Sequence, residues 1–139
     1  MNVKIKDFTI DSYEDVFALW QQCEGVGLGE SDSKDNILLF LNRNPGMSFL
    51  AETENKLVGA VLAGHDGRRG YIHHLAVLPD HRKMGIGRML VDNCLKVLKK
   101  AGILKCHIFI FNDNVNGQKF WKSIGWTHRN DICVISKFN

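Results

Sequence analysis

The residues with the clearest chemical potential lie between Tyr71 and Leu90. There the chain reads Tyr-Ile-His-His-Leu-Ala-Val-Leu-Pro-Asp-His-Arg-Lys-Met-Gly-Ile-Gly-Arg-Met-Leu. A strand-like run ends, a short basic turn follows, and Gly85 and Gly87 open what reads as a long helix. The first four N–H groups of any helix lack partners within it, and the peptide dipoles add partial positive charge at that end. Glycines at these positions let the backbone approach an anion with no Cβ in the way. Arg82, Lys83 and Arg88 add formal charge. The arrangement suits a phosphorylated ligand. Two familiar phosphate loops are excluded by residue type. A Walker A loop needs Lys and Ser or Thr after the last glycine, where this chain has Arg88-Met89. The dinucleotide pattern needs a glycine or alanine where Leu90 stands.

These groups need elements to position them. Val3 to Ile10 reads as a first strand, and Asp11 or Ser12 caps a helix with Val16, Leu19, Trp20 and Cys23 on its apolar side. Gly25 to Ser33 is a loop by composition, Asp35 to Asn42 a short helix, and Asn44-Pro45-Gly46 its stop. Met47 to Glu52 and Lys56 to His65 read as antiparallel strands joined at Glu54-Asn55. A turn at Asp66-Gly67 leads into the strand Gly70 to Leu78. On that strand Tyr71, His73 and Leu75 share one face by alternation, and Ile72, His74 and Ala76 the other, so the two histidines diverge. From Gly85 to Ala101 the apolar period is helical, with Lys96, Lys99 and Lys100 at the favourable end and Gly102 as the stop. Lys105 to Phe111 is a further strand, Gly117 to Ser123 a short helix, and Ile132 to Phe138 a last strand. No linker or internal repeat interrupts this order, so residues 1–139 are expected to form one α/β domain with a mixed sheet.

Composition bounds the function. At 139 residues the chain is too short for a TIM barrel or for a dehydrogenase with separate cofactor and substrate domains. Hydrophobic residues at 45% and charged residues at 24% are those of a globular protein. A net charge of +3 fits an anionic ligand and falls short of a nucleic-acid binder. No apolar run spans a membrane and none near Met1 resembles a signal core, which points to the cytoplasm. Cys23, Cys94, Cys106 and Cys133 form no CxxC pair, and the histidines show no metal-ligand spacing, so no metal is expected.

Arg82-Lys83-Met84-Gly85-Ile86-Gly87 fits the R/Q-x-x-G-x-G/A signature of the GNAT N-acetyltransferase superfamily, flanked by Leu75-Ala76-Val77 and Pro79. Asn114 to Gly125 is similar to the family's second signature. The match is good from about Lys56 to Trp126 and weak over the first 45 residues. The resemblance implies the GNAT fold: a central, mixed, mostly antiparallel twisted sheet flanked by helices. It implies transfer of the acetyl group of acetyl-CoA to an amine of a small molecule or peptide, attacked directly in a ternary complex. Backbone N–H groups from Lys83 to Arg88 would bind the pyrophosphate, and Leu75, Ala76 and Val77 the pantetheine arm. The Val77 N–H would polarise the thioester carbonyl, and one such donor is worth about 3 to 4 kcal/mol. Asn114 would contact the arm and Phe120 line its channel.

The resemblance also places base candidates. His73 matches a position where some members have a catalytic His, and Tyr71 one where others have Glu or His. An imidazole near pKa 6.5 suits a base at neutral pH. Glu30, in the variable loop, is a second base candidate or an acceptor-binding residue. One departure is Trp121, where many members carry a Tyr that protonates the departing thiolate. Trp has no such hydroxyl, which keeps an acyl-CoA-binding protein with little turnover as the alternative. The acceptor is not readable, and a homodimer through an edge strand is one open assembly.

Overall fold

In the computed structural model, which describes residues 2–139, five strands form one sheet: β1 (Lys4–Asp7), β2 (Phe49–Thr53), β3 (Lys56–His65), β4 (Gly70–Val77) and β5 (Cys106–Ile108). Their order in the sheet is their order in the chain. The first four run antiparallel; short turns join β2 to β3 and β3 to β4, whereas β1 reaches β2 only through residues 8–48. Only β5 is parallel to its neighbour β4, which requires a crossover. Four α-helices complete the architecture: α1 (Tyr13–Gln22), α2 (Lys34–Arg43), α3 (Ile86–Lys100) and α4 (Val115–Ser123). The chain divides into two compact units, one ending at Phe109 and the other Ile110–Asn139.

The β2–β3 hairpin follows from its two-residue turn. Glu54 and Asn55 sit at φ 51° and 61°, the left-handed pair that matches strand twist. β3 is buried from Val58 to Ala63 because both of its faces are covered. A Cβ at Gly59 would meet Leu90 and Ile86 of α3, and one at Gly64 would meet Asn44 at the end of α2. α3 lies on the first face, burying Ile86, Leu90, Val91, Cys94 and Leu98 at helical spacing. α1 and α2 serve the other face. Ser33 caps α2 by accepting the Asn36 N–H. The buried Asn44 side chain then ties the helix end to the sheet by accepting the His65 N–H at 3.0 Å.

Two expectations are corrected. The first strand is shorter than the run Val3 to Ile10, because Ile10–Ser12 turn as a single 3₁₀ turn into α1. The last strand, Ile132 to Phe138, does not form: residues 127–139 hold no helix or strand, and Ile132, Val134 and Ile135 are exposed. Strand propensity is a preference for packing on a pleated surface, and no partner strand meets this segment among the described residues.

Candidate active site

The site is built on an irregularity of β4. Ala60 pairs with Ala76 and Leu62 with His73, so Val61 alone opposes His74 and Leu75. This is a β-bulge. His74 occupies it at φ +50°, a left-handed conformation that costs a side-chain-bearing residue about 1 to 3 kcal/mol. The bulge breaks the alternation that separated the histidines. His73 packs on Phe40 of α2 at 5.8 Å between ring centroids, and His74 packs on Trp20 of α1 at 5.0 Å.

Beyond the bulge the outer edge of β4 is open. Its ladder with β5 covers only Gly70 to Ile72, and among the described residues no strand pairs with that edge from His73 to Val77. The Leu78 N–H donates to the Val58 carbonyl at 2.8 Å. Val77 and Gly59 are therefore a non-hydrogen-bonded pair, and Val77 turns its own N–H and carbonyl to the open edge. The carbonyl accepts the Arg82 Nε–H at 3.0 Å and the Cys23 thiol at 3.6 Å. Leu75 and Ala76 lie on the same strand, Ala76 buried and Leu75 partly so.

After β4 the chain makes one 3₁₀ turn (Pro79–His81) and enters α3 through two left-handed residues, Lys83 at φ 63° and Gly85 at φ 80°. No atom crowds a Cβ at Gly85, so conformation is what requires glycine there. The first helical bond runs from the Met89 N–H to the Gly85 carbonyl at 3.0 Å. The Ile86, Gly87 and Arg88 N–H groups precede it and have no partner in the helix. No side chain caps this end, and no acid stands in the first turn. Lys83 and Met84 are exposed beside it, as is Arg88, which pairs loosely with Asp92 at 3.9 Å. Arg82 is engaged by groups of the chain itself. Its guanidinium turns back to the Val77 carbonyl and to Glu24 at 2.7 Å, and its N–H reaches the Pro79 carbonyl. A carbonyl facing an open edge needs a donor, and Arg82 is near enough to supply one.

On the α1–α2 side, a 3₁₀ turn at Glu30–Asp32 borders a cleft of about 570 Å³ lined by Tyr13, Glu14, Phe17, Leu28, Asp32 and Lys34, among others. Glu30 is exposed in that turn. The acid that faces inward is Asp32, only 4% exposed. Its Oδ2 accepts the Gly29 N–H at 2.9 Å, its Oδ1 meets His74 Nε2 at 2.8 Å, and its carbonyl accepts the Tyr13 hydroxyl at 2.6 Å. No sequence spacing connects residues 32 and 74. The sequence reads Gly25 to Ser33 only as a loop by composition, so neither Asp32 nor its partner stands out there. Burial pushes the His73 imidazole below its usual pKa, and neighbouring His74 adds to this. Tyr71 stacks on His73 and touches His107 and Phe109.

In the unit Ile110–Asn139, Asn114 caps α4 by accepting the Gly117 N–H at 2.9 Å. Phe120 is half-buried, edge-on to Trp121, which in turn packs on Trp126 at 4.6 Å. No three His, Cys, Asp or Glu side chains gather as a metal site among the described residues. No described helix is long and apolar enough to cross a membrane.

Residues 13–126 match the acetyltransferase (GNAT) family. An acetyltransferase of Pectobacterium atrosepticum is 34% identical over 112 residues, 81% of this chain and 79% of that protein. The PaiA N-acetyltransferase of Thermoplasma acidophilum, solved in complex with coenzyme A, superposes with a TM-score of 0.79 at 20% identity over 91% of each chain. An aminoglycoside 6'-N-acetyltransferase of Acinetobacter haemolyticus superposes at 0.77 and 20% identity, covering 100% of this chain and 99% of that one.

Proposed function

The chain belongs to the acetyltransferase (GNAT) family and is an acyltransferase, and from that premise we propose a specific reaction. Acetyl-CoA donates its acetyl group to a primary amine of a small molecule or peptide, which attacks directly while both substrates are bound. Residues 1–139 act in this reaction as one catalytic domain. The reading is carried by one observation: the open edge of β4, with the Val77 N–H turned outward, leads within a few residues into the uncapped start of α3. Partnerless N–H groups of Ile86, Gly87 and Arg88, with Lys83 and Met84 beside them, would hold the pyrophosphate. The edge at Leu75, Ala76 and Val77 would hydrogen-bond the pantetheine arm. The Val77 N–H would meet the negative charge that gathers on the thioester oxygen.

The cleft between α1 and the Glu30–Asp32 turn is the acceptor's place in this reading. The aminoglycoside acetyltransferase among the structural neighbours supports an amine acceptor. Tyr71 and His74 supply titratable groups on that side of β4. Direct attack is favoured over a cysteine carrier because burial raises the Cys23 and Cys106 thiols and pushes Cys94 up to about 12. Trp121 is buried in aromatic packing, so the thiolate leaves without help from that position. Four free cysteines fit a reducing, cytoplasmic setting.

Calorimetric titration with acetyl-CoA tests the reading. Gly87 has an ordinary helical φ, so Gly87→Glu places a carboxylate at the phosphate position without backbone strain. An acid in the first turn also favours the helix. The expected result is binding by the wild type and loss of about tenfold or more in the variant, with an unchanged or raised melting temperature. Gly85→Glu should lose binding too, at a cost in stability from its φ of 80°. No binding by the wild type would reduce the glycines to a turn and end this reading.

A further inference from the structure

We propose that His74 is the catalytic base of the transfer and that Asp32 is the residue that positions it, an assignment that rests on the acetyltransferase reading above. The bulge holds His74 in a left-handed conformation within a strand, and that strain has an identifiable result. It turns the ring from the α3 side of the sheet toward Trp20 and the buried carboxylate of Asp32. As a carboxylate, Asp32 can only accept, so His74 Nε2 carries the hydrogen of their 2.8 Å bond. The neutral ring then offers the lone pair of Nδ1. That atom has no protein partner and is not sealed from solvent. The Gly29 N–H on Oδ2 and the Tyr13 hydroxyl on the carbonyl hold Asp32 in place. Asp32 also lines the cleft, so the same residue borders the acceptor and orients the base.

The position along β4 agrees. His74 is three residues before Val77, roughly 10 Å of strand. A thioester carbonyl on the Val77 N–H, an incoming amine and one hydrogen bond fill that span. His73 is placed differently: its ring is enclosed between Phe40 and Tyr71. In the step itself the neutral amine forms its bond to the carbonyl carbon and passes one proton to His74 Nδ1. The carbon–sulfur bond breaks, the thiolate departs with its electron pair, and the imidazolium returns the proton to sulfur through solvent. The products are the amide and the free thiol. Asp32 stabilises the ring while the ring is charged.

Four proteins test this: wild type, His74→Asn, Asp32→Asn and His73→Gln. Asparagine suits position 74 because it tolerates positive φ. Acetyl-CoA binding is read by calorimetry, and transfer as thiol release with a polyamine, an aminosugar and a peptide bearing a free α-amine. All four should bind acetyl-CoA within about threefold of each other. For the acceptor used, kcat should fall at least about a hundredfold in His74→Asn and about tenfold or more in Asp32→Asn. The KM for acetyl-CoA should hold, and His73→Gln should stay within about threefold of wild type. A structural role for Asp32 would change folding and KM together, not kcat alone. Retention of a third or more of kcat in His74→Asn, or an equal loss in His73→Gln, overturns the assignment alone. A wild type that binds acetyl-CoA yet acetylates none of the panel overturns the amine reading together with it. Should a variant not fold, nitrogen-15 spectra of the wild-type imidazoles decide. They should show His74 protonated at Nε2, and protonation at Nδ1 overturns the proposal.

Discussion

Enclosure distinguishes the two neighbouring imidazoles of β4. His73 lies between Phe40 and Tyr71, and its pKa is depressed first by burial and then by His74. A histidine kept neutral in the fold but free to charge when unfolded makes the unfolded chain bind more protons below about pH 6.5. Its contribution to stability is therefore complete above that pH and declines as pH falls toward the folded-state value. Urea unfolding between pH 8 and 5 should show declining stability, with a shallower decline in His73→Gln. An equal slope in the variant would remove His73 as the cause. At this scale the sequence exposed the candidates but not their surroundings. Alternation assigned Tyr71, His73 and Leu75 to one face and His74 to the other. One extra residue opposite Val61 defeats that rule, and a bulge leaves no mark in residue types when its left-handed position is a histidine.

The best-determined element is α3. Its apolar positions recur at helical spacing, Gly85 supplies the left-handed entry, and the lysines of the last turn suit the dipole. Leu90 is fully buried beneath the glycine gap at position 59, so Leu90→Ala should destabilise by about 2 to 5 kcal/mol in chemical denaturation. A loss below about 1 kcal/mol would mean that the sheet collapses onto the cavity. α1 was legible for the same reason, with Val16, Leu19 and Trp20 buried at helical spacing, whereas β2 and β3 were legible from the Glu54-Asn55 turn that joins them and α2 from its Asn44-Pro45-Gly46 stop. β5 and the C-terminal run were less so. Lys105 to Phe111 yields a strand only at Cys106–Ile108, and Ile132 to Phe138 none, because strand length is set by the partner ladder.

Across the whole chain, protection should follow the division into two units. β3, β4 and α3 carry the buried ladder and helix bonds, whereas residues 127–139 hold no helix or strand. Native-state hydrogen exchange should therefore show slow amides through Val58 to Ala63 and Leu90 to Leu98, and fast ones over 127–139. Slow exchange in that terminal stretch would mean that it finds a strand partner in solution.

The amino-acid sequence by itself determined the element order from Tyr13 to Ser123, the basic glycine turn into α3, and the family to which the chain belongs. Each of these is written in neighbouring residues, since helical period, turn chemistry and an anion-binding helix start are local properties. Tertiary structure alone decided the outward turn of the Val77 N–H, the return of Arg82 to the Val77 carbonyl, and the contact of Asp32 with His74. Those depend on strand register and on a contact across 42 residues. Both are settled by how the sheet's faces are filled, a balance of burial over the whole fold that no local stretch of chain records.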